Sequence, residues 1–132
     1  LTPKLKFSNS TTKYLSMVLI PFLALLSILN LENLYTFSAF TLTAILVTLS
    51  FFRALELLSS FMVSFIFILI PFFIVNGVLT GSFIIDEIVW YNNSHNLGLR
   101  IWTIPFEDIF YGFSLLFLPL YITHELATKK TK

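Results

Sequence analysis

The chain is predicted to be all-α: a polytopic membrane bundle of four transmembrane helices with both termini cytoplasmic. Three observations predict it. First, 57% of its 132 residues are hydrophobic, 11% are charged and 16 are Phe, with a mean hydropathy of +0.89. Soluble domains hold roughly 45–50% apolar residues, so a soluble fold of this length lacks the polar surface to cover itself. Second, four segments can cross a hydrocarbon core of roughly 30 Å, which takes about 17–25 helical residues. Third, the positive charges are asymmetric. With four spans, the termini and the 53–56 turn share one side, which holds Lys4, Lys6, Lys13, Arg53, Lys129, Lys130 and Lys132, whereas the other holds only Arg100. Cations gather on the cytoplasmic side, so the 80–102 loop is expected outside.

The chain reads as a single domain over 1–132. Residues 1–13 are polar and basic, a cytoplasmic lead-in. The first span, 14–31, carries Pro21, which neighbouring helices can accommodate; its apolar run is too long for a cleaved signal peptide, and no small-residue cleavage site follows. The turn at 30–33 makes the first two spans antiparallel neighbours, the second being 34–52. The turn at 53–56 does the same for the third, 57–79. A connection of about 20 residues follows, and long ordered loops are usually functional. Gly77 and Gly81 let the third helix end, and Trp90, Tyr91 and Trp102 suit the headgroup layer. The loop is therefore expected to lie on the membrane surface as a partly buried flap. The fourth span is 103–122, and 123–132 is a basic cytoplasmic tail. Because the first residue is Leu, the chain is expected to be a fragment or the second part of something longer.

Composition also excludes chemistry. Without cysteine there is no disulfide framework and no thiolate or thiolate-metal site, and no metal is expected. The four glycines lack phosphate-binding spacing, so no flavin or nicotinamide cofactor is expected in this chain, and no nucleic-acid partner either.

The chemistry-bearing residues cluster between the last two spans. Pro105, Phe106, Glu107 and Asp108 look like a helix opening, with proline at the first helical position and acids complementing the positive end of the macrodipole. Capping is one reading. The other is that Glu107, at the rim of the hydrocarbon region, stays protonated, because burial disfavours the anion. Tyr111 lies within helical reach of either acid, and Ser114 continues the Glu107–Tyr111 side as a polar stripe. Asn76 is interhelical glue or a hydrogen-bond partner of Glu107 or Asp108. Asp86 and Glu87 form a second acid pair among Ile85, Ile88 and Val89. Arg100 is expected to pair with one of these acids or with a lipid phosphate. His95, in a wet turn, is expected to be exposed, and His124 lies at the opposite side.

Three runs then carry a resemblance: PFFIVNGVLTG at 71–81; VWYNN at 89–93 with Asn96-Leu97-Gly98; and IPFEDIFYG at 104–112. Together they resemble the integral-membrane lycopene cyclase domain family, whose specific mark is a Pro-x-Glu-Glu/Asp motif at an aromatic helix start. Family members carry the motif twice, in one chain or in two partner subunits, whereas this chain has it once. It is therefore similar to the second half of the fused bacterial enzymes, and the resemblance implies a partner: an N-terminal half-domain or subunit with the other motif.

The resemblance implies an enzyme of carotenoid (terpenoid) biosynthesis in the bacterial cytoplasmic membrane. Its activity would be that of an intramolecular lyase or isomerase forming β-rings from the ends of lycopene or a related linear carotene among the membrane lipids. An acid protonates the terminal double bond, the next alkene attacks the tertiary cation, and a ring proton is lost. Glu107 is the candidate acid and Asp108 its partner or the base, with Asp86 and Glu87 as further catalytic candidates. Trp90, Phe106, Phe110 and Tyr111 would face the cation, each worth roughly 0.5–2 kcal/mol, and Asn76, Tyr91, Arg100 and Pro105 complete the substrate-binding set. A hydratase adding water to the same cation, or a non-catalytic membrane subunit or transporter component, are the alternative expectations.

Overall fold

The computed structural model describes residues 5–131; Lys4 and Lys132, which entered the charge asymmetry, lie outside them. Four helices account for most of the described chain: α1 (Asn9–Leu29), α2 (Leu34–Arg53), α3 (Leu55–Leu79) and α4 (Glu107–Lys130). All four are long and apolar enough to cross a membrane, and the all-α expectation holds. Three of them contain a proline: Pro21, Pro71 and Pro119.

Several boundaries differ from the expectation, each for a local reason. Helix α1 begins at Asn9 and takes in much of the presumed lead-in, because Ser8 caps it: its hydroxyl accepts from the Thr11 N–H. A serine cap of this kind satisfies an otherwise orphaned donor. Helix α4 begins at Glu107, not at 103. The residues before it form a minimal antiparallel hairpin, β1 (Arg100–Ile101) with β2 (Ile104–Pro105). Pro105 is thus a strand residue paired with Arg100, not the first residue of a helix, and Phe106 is the N-cap. The basic tail is helical to Lys130. Its Leu, Ala and Lys residues are good helix formers, and Lys129 and Lys130 oppose the negative end of the dipole. Gly77 lies inside α3, whose end is marked by Gly81 at φ +92°.

Helix α2 packs on both α1 and α4. Toward α4 it presents Thr36, Phe40, Thr43, Val47 and Ser50, all buried, at the three- and four-residue spacing of one helical face. Small and hydroxyl side chains at such a seam let helix axes approach closely. Thr43 Oγ1 lies 2.8 Å from Ser114 Oγ and 3.0 Å from the Phe110 carbonyl. An aromatic core fills the half nearer the termini: Phe61 packs on Phe117 at 4.8 Å and on Phe113 at 5.0 Å between ring centroids.

Two contacts define that end. Lys6 pairs with Glu56 at 3.5 Å and Arg53 with Glu125 at 3.4 Å. The opposite end collects the α1–α2 turn, the long loop and the start of α4. All the candidate chemistry sits there.

Candidate active site

The site is assembled by the first turns of two helices. Glu107 and Asp108 open α4; Tyr35 and Thr36 lie in the first turn of α2. Because the helices pack against each other, these turns meet at the loop end of the bundle.

Glu107 is 0% exposed. Its Oε1 accepts two hydrogen bonds of 2.6 Å, one from the Thr36 hydroxyl and one from the Leu97 N–H. Its Oε2 is buried and, among the described residues, has no hydrogen-bond partner. Nearly all buried polar atoms are paired, so this oxygen is the anomaly of the site. Any proton the group carries belongs on Oε2, because Oε1 already faces two donors. Asp108, 5% exposed, is the reverse. Tyr35 donates to its Oδ1 and Tyr91 donates to its Oδ2 at 2.7 Å. Both oxygens are filled by phenols, and the ring of Tyr35 stands 6.2 Å from Tyr91 and 5.9 Å from Tyr111.

Tyr91 belongs to the loop, and its phenol is pushed well above the ordinary tyrosine range. Burial is the main cause, followed by its hydrogen bond to Asp108 and that group's charge, with Arg100 acting in the opposite direction. Arg100 lies over the Tyr91 ring at 5.8 Å, a cation–π distance. It donates to the Thr103 carbonyl at 2.7 Å and to Asn93 Oδ1 at 2.8 Å. Among the described residues it forms no ion pair with an acid, contrary to one of the two expectations for it. The hairpin and the 3-10 turn at Asn93–His95 supply it with oxygens nearer by.

An aromatic wall adjoins Glu107. Phe40 stands edge-on to Phe110 at 5.0 Å and to Phe106 at 6.4 Å, and Phe106 is 5.4 Å from Phe110. Phe106 and Phe110, both half-buried, flank the acid pair along α4.

Other expected residues are placed elsewhere. Asp86 and Glu87 are exposed and, among the described residues, hydrogen-bond to nothing through their side chains. Glu87 lines a separate cavity of about 470 Å³ with Trp90, Tyr91 and Arg100. Asn76 does not reach either acid; its amide donates to the Phe72 carbonyl of its own helix at 2.9 Å. Tyr111 is 47% exposed and bonds to neither Glu107 nor Asp108. The predicted polar stripe therefore splits: Ser114, nearly in line with Glu107 two turns on, is buried against α2, and Tyr111 sits at the rim. Pro105 is buried within the hairpin, and Trp90 is 73% exposed. The flap is more open than expected, with Ile85 and Ile88 facing outward. His95 is exposed.

Tyr35, Thr36 and the Leu97 N–H were not foreseen. The available signal was topological: Tyr35 and Thr36 follow the 30–33 turn, at the same end of the bundle as Glu107. Among the described residues no group of three His, Cys, Asp or Glu is placed to hold a metal ion.

A family model described as lycopene cyclase matches residues 32–126. The matched span contains every side chain of the acid cluster and its aromatic wall, including the α2 donors. Neither the comparison with curated proteins nor that with solved structures found a match.

Proposed function

The chain belongs to the lycopene cyclase family, and from that membership we propose that it carries one acid-bearing half of a carotenoid β-cyclase. One observation carries this reading: Glu107 is wholly buried, with one oxygen held by two donors and the other bare beside a phenylalanine wall.

The proposed reaction is a redox-neutral isomerisation. The proton on Glu107 Oε2 goes to the terminal alkene of a lycopene end group, leaving a tertiary cation. The next alkene attacks that cation, closing a carbon–carbon bond and moving the positive charge into the ring. A ring proton then leaves to a carboxylate and restores a double bond, so substrate and product have the same formula. Glu107 suits the donor role because its bare oxygen is the one free to give a proton. Asp108, whose two oxygens already accept from phenols, suits the charge-stabilising role, and the Glu107 carboxylate left after proton donation can take the ring proton. Phe40, Phe106 and Phe110 would shield the cation from water, and a ring that turns its face to it would stabilise it by roughly 0.5–2 kcal/mol.

Glu107 lies behind this wall, and the chain carries the acid motif once. Both features support a composite site completed by a second half-domain or partner subunit with its own motif. The charge asymmetry supports an orientation with both termini on the cytoplasmic side, and the family likeness supports a bacterial membrane.

The test is co-expression with that second half in cells that accumulate lycopene. A cyclic product of unchanged mass supports the cyclase reading. A product heavier by one water makes the protein a hydratase, and unaltered lycopene with both halves inserted refutes catalysis.

A further inference from the structure

An apolar cleft of about 430 Å³ enters the bundle below the acid cluster. Its volume falls within the range of roughly 300–1,000 Å³ usual for ligand pockets. All four helices contribute to it. Leu15 and Leu19 come from α1, Met62 and Phe65 from α3, and Phe110 and Phe113 from α4. Among the described residues no charged one lines it, and the single polar side chain is Thr43 of α2. That hydroxyl is already engaged, lying 2.8 Å from the Ala39 carbonyl, 3.0 Å from the Phe110 carbonyl and 2.8 Å from Ser114 Oγ. The cleft therefore offers nothing to a ligand that needs a hydrogen bond or a counter-charge. It suits a hydrocarbon without heteroatoms.

Two further observations narrow the occupant. Four of the lining residues are Phe, and Met62 adds a thioether. Flat aromatic faces and a polarisable sulfur match a conjugated chain better than a saturated one. The cleft also adjoins the aromatic wall beside the acid cluster. Phe110 lines the cleft and packs on Phe40 and on Phe106, the residue preceding Glu107. Along α3 the wall from Met62 to Leu69 runs roughly 10 Å along the helix, long enough to lie beside a rod-like ligand.

We propose that this cleft is the groove for the conjugated chain of an acyclic polyene, with Phe110 at the end nearest Glu107. The identity of the occupant rests on the cyclase reading above; its location does not.

The test is a binding titration of the purified full chain in detergent micelles, with lycopene as the probe and co-eluting pigment absorbance as the readout. Met62→Trp and Leu15→Trp fill the cleft from two different helices. Phe67→Trp, at an exposed position on α3 outside the cleft, is the control. Helical circular dichroism and elution volume confirm that each variant folds. The expected result is lycopene binding by the wild type and by Phe67→Trp, and binding about tenfold or more weaker in both filled variants. Three results overturn the proposal: no lycopene bound by the wild type, equal binding by both filled variants, or displacement of lycopene by an equal concentration of a saturated-chain phospholipid. The last assigns the cleft to a lipid tail. Binding that follows the expected pattern, with no cyclic product when the second half is supplied, ends the cyclase reading and leaves the groove standing.

Discussion

Tyr35, in the first turn of α2, donates its phenolic hydrogen to Asp108, in the first turn of α4 and 73 residues further along the chain. Its neighbour Thr36 does the same for Glu107. One turn of α2 thus holds both carboxyl groups, and it holds them differently: Asp108 is filled at both oxygens, Glu107 at one. The division of labour proposed for the two acids follows from this asymmetry.

Removing the Tyr35 hydroxyl tests the asymmetry directly. Tyr35→Phe keeps the ring and deletes the donor, leaving Asp108 with Tyr91 alone. A hydrogen bond to a charged group contributes about 1.5–3 kcal/mol, so cyclisation in cells supplied with the second half should fall on the order of tenfold or more. Wild-type pigment conversion in this variant would show that Asp108 needs no help from α2.

The Thr36 contact makes a stability prediction. Thr36→Val keeps the shape of the side chain and takes one of the two donors from Glu107 Oε1. Leaving a buried polar group short of a partner costs about 1–3 kcal/mol, so denaturant unfolding in detergent should shift toward lower stability by that amount. Thr36→Ser restores the donor and should unfold close to the wild type. Equal loss in both variants would mean that packing, and not the hydroxyl, is what matters at this seam.

Tyr91 predicts an optical result. Burial and the Asp108 hydrogen bond both favour its neutral form. At about pH 10.5, past the ordinary phenol value of about 10, it should still be protonated. The alkaline absorbance change of Tyr91→Phe at that pH should therefore equal that of the wild type. A change smaller by about three quarters of a tyrosine equivalent would mean that Tyr91 titrates as a free phenol.

The orientation of the bundle is open to labelling, because these 132 residues include no cysteine. Single cysteines at Ser94, exposed in the loop, and at Thr131, exposed after α4, should respond oppositely to a membrane-impermeant thiol reagent added to intact cells. Ser94→Cys is expected to be labelled and Thr131→Cys protected. The reverse pattern would invert the topology.

The spans were legible because twenty-odd apolar residues between charged turns admit one structure in a bilayer. The acid pair was legible for the opposite reason: charge is so scarce in this chain that Glu107 and Asp108 stand out. What was not legible depended on contacts between distant segments. Pro105 reads as a helix opener when α4 is considered alone; its pairing with Arg100 is visible only once the loop has folded back. Tyr35 and Thr36 look like ordinary residues of a second span until α4 is laid beside them. Asp86 and Glu87 form a second acid pair that composition alone keeps among the catalytic candidates. They differ from the 107–108 pair because no helix packs over them, and both are exposed.

The most direct measurement is the carotenoid profile of lycopene-accumulating cells expressing the second half together with either the wild-type chain or Glu107→Gln. The amide keeps the volume and the hydrogen-bonding oxygen but has no acidic proton to give. The expected result is cyclic product of unchanged mass from the wild type, and only acyclic lycopene from an equally well inserted Glu107→Gln. Undiminished cyclisation by Glu107→Gln would contradict the assignment of this buried carboxyl as the proton donor.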